Sequence, residues 1–256
     1  MALRSNFLAV GCYRPDQVSA KIFGDFTFSE TAERHRQEVW QKFQKRNPGA
    51  FDGSLARLHA LDATGERIDL KFQRTTFSSY VSSRDPAFVD RFPDASRSDP
   101  IGITAVALGI DGYVLVTRRS LEAEQNPGGL YFVGGYANAH DDGPVDLFAE
   151  AERELREETG FDEVDRLGSR LLGIAYDPVH CHPEITILLR ARASAGEMLK
   201  HLNKATDAAE AHSHHVLPLT SVLDGSAASR IGGPATWSFG IGSELLRKTD
   251  LAFAGR

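Results

Sequence analysis

The sequence has very few cysteines. Only Cys12 and Cys181 occur among 256 residues, far apart and without partners at zinc-site spacing, which excludes a disulfide-rich or zinc-finger scaffold. We expect two free thiols in a reducing compartment. His180 and His182 flank Cys181, but on a strand the two histidines share one face and the thiol faces away. The three side chains therefore cannot bind one ion, and we place them in a loop at the edge of a strand.

The sequence also lacks a long hydrophobic run and an excess of basic residues. No segment approaches the ~20 apolar residues that span a bilayer, and residues 1–11 are too weakly patterned for a signal peptide. We therefore expect a cytoplasmic protein with no membrane partner. The net charge of -6 argues against nucleic acid as a partner, so a polyanion would be recognised locally, through metal ions or a few arginines.

Composition and the positions of proline and other turn-forming residues suggest two structural units. The chain is 41% hydrophobic and 25% charged, as in ordinary globular proteins. Residues 84–100 carry prolines, serines and charges with little periodicity, which places a boundary near Ser98. We expect an N-terminal α+β region at 1–98 and a second domain at 99–256. In the first, Ser29 caps a predicted helix that ends near Arg46, and a β-hairpin joins 55–60 to 68–72. Four apolar residues of the helix are expected to be buried: Ala32, Val39, Trp40 and Phe43.

The second unit mixes strands and helices along its length, which predicts an α/β or α+β sandwich with a mixed sheet. Asp111-Gly112 is a strong hairpin turn signal between the first two strands. The predicted strands are 104–108, 113–117, a segment near 131–133, 171–176, 184–191 and 215–219. The predicted helices are 145–159, 196–204 and 242–248.

The most informative segment is the end of the helix predicted at 145–159. Its glutamates at 150, 154, 157 and 158 fall on one face, beside an apolar face formed by Phe148, Ala151 and Leu155. Crowded carboxylates are unfavourable without a cation, and hard oxygen ligands suit Mg²⁺ or Mn²⁺. Arg153 lies one turn before Glu157 and can orient it, while Gly160 is a natural C-cap. The alternative is a solvated acidic helix with ordinary i,i+4 pairs.

The run Arg153-Glu154-Leu155-Arg156-Glu157-Glu158-Thr159-Gly160-Phe161 resembles the C-terminal half of the Nudix hydrolase box, in full. The N-terminal half departs from that pattern. Val145 stands where a glutamate is usual, and the matching glycine is Gly135, so the loop carries about four extra residues. Asp141 or Asp142 could replace the glutamate, or it is absent.

The resemblance implies a Nudix-type α/β/α sandwich and a metal-dependent pyrophosphohydrolase. Glu157 and Glu158 would be the main Mg²⁺ ligands, assisted by Glu154, with a backbone carbonyl of Gly134 or Gly135 completing the site. Arg153 would hold the glutamates in place. The general base would be Glu210 in a later loop, or Glu154. The alternative for Glu210 is a solvated loop charge.

More dispersed stretches are similar to the Nudix branch that hydrolyses UDP-glucose and UDP-galactose to UMP and a sugar 1-phosphate. In that reading Phe77 or Tyr80 stacks on the base, and Arg118 or Arg119 meets a phosphate. Core packing is the alternative for the aromatics, more for Phe77 than for Tyr80, and pairing with the acidic helix is the alternative for the arginines. The matching stretches are Trp40, 47–52, 57–59, 76–80, 99–102, 118–120, 134–135, 171–176 and 210–212.

The small-molecule substrate would then be a nucleotide sugar, and the N-terminal region would help to form the nucleotide pocket. A second enzymatic reading is hydrolysis of ADP-ribose, a dinucleotide or a nucleoside triphosphate. A different class is a non-catalytic domain that binds a nucleotide or a partner protein. The intact glutamates argue against the binding domain, because such a module need not keep so repulsive a cluster. The oligomeric state is left open.

Overall fold

The computed structural model describes residues 6–249, which form two mixed β-sheets with associated helices. Three 3₁₀ turns, at Pro15–Gln17, Leu199–Lys204 and Ala208–Glu210, connect other elements. The strands are β1 (Asn6–Tyr13), β2 (Val18–Asp25), β3 (Ser54–Asp62), β4 (Ile68–Thr76), β5 (Gly102–Leu108), β6 (Tyr113–Arg119), β7 (Leu130–Tyr131), β8 (Val133–Tyr136), β9 (Gly143–Pro144), β10 (Val164–Asp177), β11 (His182–Ala191) and β12 (Ala211–Pro218). The helices are α1 (Glu30–Arg46), α2 (Phe77–Ser83), α3 (Phe88–Arg91), α4 (Leu147–Thr159), α5 (Ala195–Met198), α6 (Leu219–Leu223), α7 (Ala227–Ile231) and α8 (Trp237–Lys248).

The larger sheet has the order β1-β10-β11-β5-β6-β12, with β8 beside β5 and β7 beside β6. The β11–β5 pair is parallel, and the other pairs are antiparallel. Alternate residues of β5 serve two cores, as strand periodicity requires. Ile103 and Ala105 join the apolar cluster that contains Leu155 of α4, whereas Val106 joins the cluster that contains Leu245 of α8. The expected α+β class with a mixed sheet is confirmed.

The smaller sheet has the order β3-β4-β2-β9. Strands cross between the two parts of the chain: β1 pairs with β10 in the larger sheet, and β9 pairs with β2 in the smaller one. Ile22 and Phe72 of the smaller sheet also share a buried cluster with Ile103 and Phe161. The division into 1–98 and 99–256 stays a prediction, and both parts contribute to one core.

Helix α1 begins and ends where its caps predict. The Ser29 hydroxyl accepts a hydrogen bond from the Ala32 N–H. Of the four residues expected in its buried stripe, Ala32 is buried, whereas Val39, Trp40 and Phe43 are only partly buried. The reason is that α1 packs on the short helix α2 and leaves most of its length at the surface.

The other predicted elements are present, with shifted ends. The hairpins β3–β4 and β5–β6 are formed, the helix predicted at 196–204 is divided into α5 and a 3₁₀ turn, and β12 ends one residue early. Both cysteines are free, and the loop before His182 leads into β11 as expected. No helix within residues 6–249 is long and apolar enough to cross a membrane. Strands β1, β2 and β9 and helices α2, α3, α6 and α7 were not predicted.

Gly160 is where the fold depends most visibly on one glycine. Its φ is +72°, and a Cβ atom there would collide with the backbone oxygen of His201. We expect Gly160→Ala to lower the free energy of unfolding by about 2 to 4 kcal/mol, because left-handed strain adds to a clash with backbone. Gly65→Ala is the matched control, since Gly65 has a φ of +65° and nothing within 4 Å of its Cβ position. It should cost about 1 kcal/mol in chemical denaturation. Equal losses would show that the clash at Gly160 relaxes without cost.

Candidate active site

Helix α4 fixes the site by anchoring one face and exposing the other. The Asp146 carboxylate accepts hydrogen bonds from the Phe148 and Ala149 N–H groups, and Gly160 ends the helix in the left-handed conformation. Phe148 and Leu155 are buried in the larger core. Glu150, Glu154 and Glu157 are partly exposed beside this apolar face, whereas Glu158 is buried.

Arg153 is the hub of these carboxylates. Its guanidinium lies 2.6 Å from a carboxylate oxygen of Glu157, 2.7 Å from one of Glu154 and 2.9 Å from one of Glu150. All four side chains are less than a third exposed, so solvent screens these contacts only partly. The orientation of Glu157 by Arg153 that the sequence suggested is therefore present as a direct contact.

Glu158 lies beneath the hub and is 1% exposed. Its carboxylate accepts a hydrogen bond from the Tyr131 hydroxyl at 2.5 Å and another from the Gly134 N–H at 2.8 Å. Burial, together with the nearby charges of Glu210 and Glu154, raises the pKa of Glu158 to about 8 despite these bonds. A buried carboxyl with such a pKa ionises readily only when another cation approaches.

Glu154 lies directly against Gly135. A Cβ atom at Gly135 would be 2.6 Å from the nearer Glu154 oxygen, so only glycine leaves room for this carboxylate. Burial raises the pKa of Glu154 to about 7, and the charges of Glu157 and Glu210 add to that effect, against the opposing pull of Arg153. The close approach to Gly135 and the raised pKa of Glu154 together indicate a narrow, poorly solvated recess that contains several carboxylates.

The donor set of this recess suits a hard divalent cation, because it consists of oxygen atoms only. Within the part of the chain that the structure describes, no three His, Cys, Asp or Glu side chains are already arranged around one point. Arg153 occupies the centre of three carboxylates instead. Glu154, Glu157 and Glu158 are the residues that could hold a metal, and their role as ligands, like that of Gly134 and Gly135, stays a prediction.

A cavity of about 510 Å³ opens in front of the recess. It brings together most of the residues singled out in the sequence, although they come from five separate segments. Glu158 is reached only indirectly, through Tyr131 and Gly134. The predicted residues in the cavity wall are Phe77, Arg119, Gly134, Gly135, Arg153, Glu154, Glu157 and Glu210.

The two arginines at the end of β6 point in different directions. Arg119 lines the cavity and lies over the Tyr131 ring, 4.9 Å from its centre. It forms no salt bridge within residues 6–249, and its buried Nε has no hydrogen-bond partner there. Arg118 turns away and donates to the Gly128 carbonyl at 3.1 Å. Arg119 is therefore a cation available to a ligand, and neither arginine pairs with α4.

The two candidate aromatics also have different environments, but the one packed in the core is Tyr80 rather than Phe77. Tyr80 is fully buried, and its hydroxyl donates to the His180 carbonyl at 3.0 Å. Phe77 lines the cavity and makes edge contacts with Trp40 and Phe43. The expectation that Tyr80 could reach a base was wrong, because α2 turns its Tyr80 side into the core and leaves Phe77 at the cavity.

Glu210 reaches the same cavity from the 3₁₀ turn before β12. The residue is exposed as a whole, but its carboxyl is partly desolvated, which raises its pKa; Asp207 and Glu157 raise it too, and Arg119 opposes them. The turn is tied to α4, because the Asp207 N–H donates to the Glu157 carbonyl at 2.9 Å. This position is compatible with the base role, which stays a prediction.

Asp142 does not contact the Arg153 hub, whereas Glu150, inside the helix, does. Asp142 hydrogen-bonds with Arg74 and the Gly24 N–H, on the smaller sheet. Glu150 accepts from both Arg153 and the Asn138 N–H, and so ties the upstream loop to the hub. Its position three residues before Arg153 on the same helix is the sequence feature from which this contact could have been predicted.

Solved structures that align with part of this chain include Nudix proteins. The MutT protein from Methanosarcina mazei Go1 is 18% identical, with a TM-score of 0.39 over 58% of this chain and 93% of that one. A Nudix hydrolase from Alicyclobacillus acidocaldarius is 19% identical, with a TM-score of 0.41 over 57% and 90%. A MutT Nudix hydrolase from Burkholderia pseudomallei is 18% identical, with a TM-score of 0.41 over 57% and 96%. No protein-family model matches the chain, and no curated protein is significantly similar to it. The function is therefore argued from the site itself.

Sequence reasoning missed the far end of the cavity. Asp177, His182, Glu184 and Thr104 line it there, opposite the acidic helix. The signal was Glu184, a lone carboxylate near the start of a mostly apolar strand.

We expect Arg153 and Glu150 to stabilise the fold as a pair, whereas Arg153 and Asp142 act independently. In a double-mutant cycle, Arg153→Met with Glu150→Gln should show a coupling of about 0.5 to 1 kcal/mol in the free energy of unfolding. The cycle of Arg153→Met with Asp142→Asn is the control and should be additive within about 0.5 kcal/mol. If only Arg153 and Asp142 were coupled, the partner of Arg153 would be the upstream loop rather than Glu150.

Proposed function

We propose that this protein is a Mg²⁺-dependent Nudix pyrophosphohydrolase that acts on nucleoside diphosphate derivatives. The observation that carries the proposal is the clustering of Glu154 and Glu157 around Arg153 in the wall of a cavity that Arg119 also lines, with Glu158 buried behind that wall. Arg119 forms no salt bridge within residues 6–249. This arrangement offers oxygen ligands on one side and a guanidinium for phosphate on the other.

The chain's own residues have distinct tasks in this reaction. Arg153 orients the carboxylates, Glu158 is fixed by Tyr131 and Gly134, and Arg119 binds a phosphate oxygen. Bound Mg²⁺ would neutralise the pyrophosphate and lower the pKa of water. Glu210, with its raised pKa, accepts a proton from the attacking water, and Glu154 is the alternative base.

We propose UDP-glucose or UDP-galactose as the substrate, cleaved to UMP and a sugar 1-phosphate. The cavity volume of about 510 Å³ lies in the range of small-molecule sites. Phe77, backed by Trp40 and Phe43, gives the cavity an aromatic wall suited to a base. The other enzymatic candidates are ADP-ribose, dinucleotides and nucleoside triphosphates.

A non-catalytic binding domain is the remaining alternative, and the recess argues against it. Burial raises the pKa of Glu154 to about 7 and that of Glu158 to about 8, so keeping both ionised opposes folding. A module that only bound a nucleotide would not need these carboxylates together.

Hydrolysis can be tested with a panel of pyrophosphates. With Mg²⁺, we expect UMP from UDP-glucose and UDP-galactose, identified by mass, and little or no product from ADP-ribose, diadenosine polyphosphates or nucleoside triphosphates. Glu157→Gln and Glu158→Gln should each lower kcat by on the order of 100-fold or more, because each removes a charge that acts on the transition state.

The matched control is Glu163→Gln, an exposed carboxylate beyond the end of α4, which should leave kcat unchanged. EDTA should abolish turnover, and Mg²⁺ or Mn²⁺ should restore it. Unchanged turnover in both Glu157→Gln and Glu158→Gln would contradict the metal assignment. Binding of a nucleotide with no cleavage of any substrate would favour the binding domain.

A further inference from the structure

The far end of the cavity has its own polar cluster, held by strand pairing. Strand β11 runs parallel to β5, so Glu184 lies beside Gly102 and Thr186 beside Thr104. The Thr104 hydroxyl donates to one oxygen of Glu184 at 2.5 Å. Because β8 pairs with the other edge of β5, Gly134 lies opposite Thr104. The cluster and the acidic helix therefore line one cavity, separated by the width of a strand pair.

His182 presents a hydrogen-bond acceptor to this cavity. Its Nδ1 lies 3.1 Å from the Pro183 carbonyl oxygen, which can only accept, so Nδ1 carries the proton. Burial lowers the pKa of His182 to about 4, and a neutral ring with Nδ1 protonated has a lone pair on Nε2. His182 is 5% exposed and lines the cavity, and Nε2 has no hydrogen-bond partner within residues 6–249.

Glu184 and Asp177 add acceptors of the same kind. The second oxygen of Glu184 is 3.6 Å from Nδ1 of His182, beyond hydrogen-bond distance. Asp177 is 3% exposed, and one of its oxygens accepts from the Val179 and His180 N–H groups. The other oxygen of each carboxylate has no hydrogen-bond donor in the part of the chain that the structure describes.

This set of groups selects the chemistry of its ligand. Acceptors without donors repel phosphate, which is anionic and also accepts. Hydroxyl groups do fit, since each can donate to one acceptor. Neighbouring acceptors on Glu184 and His182 match neighbouring hydroxyls on a ring.

We propose that Glu184, His182 and Asp177 form a subsite that binds vicinal hydroxyl groups of a sugar ring while the diphosphate lies between Arg119 and the acidic helix. This inference rests on the proposed function. Such hydroxyls come from two sources in a nucleotide sugar, the ribose and the glycosyl ring.

Gly102 provides a sharp way to disturb the subsite. A Cβ atom at Gly102 would collide with the Glu184 carboxylate. Because Gly102 is not among the glycines with positive φ, alanine there would displace the Glu184 side chain without straining the backbone. Gly196→Ala is the matched control, because nothing lies within 4 Å of its Cβ position. Glu184→Gln is the second variant, since it replaces an acceptor by an amide donor.

The readout is binding of UDP-glucose to the full chain by calorimetry, without divalent ions, so that no turnover is needed. Glu184→Gln and Gly102→Ala should each raise Kd about tenfold or more, and Gly196→Ala should leave it unchanged. Two analogues then locate the source: UDP-2-deoxyglucose lacks a glycosyl hydroxyl, and 2′-deoxy-UDP-glucose lacks a ribose hydroxyl. The analogue without the bound hydroxyl should bind the wild-type protein more weakly, and that penalty should vanish in Glu184→Gln.

Turnover with Mg²⁺ separates this inference from the proposed function. Hydroxyl-dependent binding without turnover would refute the hydrolase and leave the subsite intact. If the protein cleaves UDP-glucose but neither deoxy analogue binds more weakly than UDP-glucose, the subsite is refuted and the hydrolase is not. Equal Kd values for the wild-type protein and Glu184→Gln, or no binding of UDP-glucose to the wild-type protein, would also overturn it.

Discussion

The site depends on one guanidinium that serves three carboxylates. Arg153 is in contact with Glu150, Glu154 and Glu157, all on its own helix. Without that cation, glutamates three and four residues apart on one helix face would repel one another. The repulsion is tolerated because the helix is anchored independently, by its Asp146 cap and its buried apolar face. Stability and chemistry thus occupy separate faces of α4.

The second constraint is the pair of glycines in β8. The Gly134 N–H donates to Glu158, and the missing side chain of Gly135 makes room for Glu154. A larger residue at either position would meet β5 or the helix, respectively. The two glycines therefore let the carboxylates of α4 come close to β8, next to the cavity that Arg119 and Tyr131 also line.

Local signals made much of this predictable from sequence. Helix α4, its C-cap and the contact from Arg153 to Glu157 follow from spacing within a few turns, and hairpins follow from their turn residues. Glu184 and Tyr80 could not be placed in the same way. The position of Glu184 is set by pairing with β5, 82 residues earlier at Gly102, and the burial of Tyr80 by packing of α2 on distant elements. Periodicity carries no information about either contact.

The cavity combines two chemical environments, which in the proposed function orient an elongated ligand. Arg119 lies between them, and its charge opposes the raised pKa of Glu210 on one side and of Glu184 on the other. A diphosphate placed at the far end would meet acceptors without a cation, whereas neutral hydroxyls placed beside the acidic helix would leave Arg119 unpaired. In the proposed reaction only one orientation of a nucleotide sugar satisfies both ends. Substrate direction would then be set by electrostatics before any residue contacts the scissile bond.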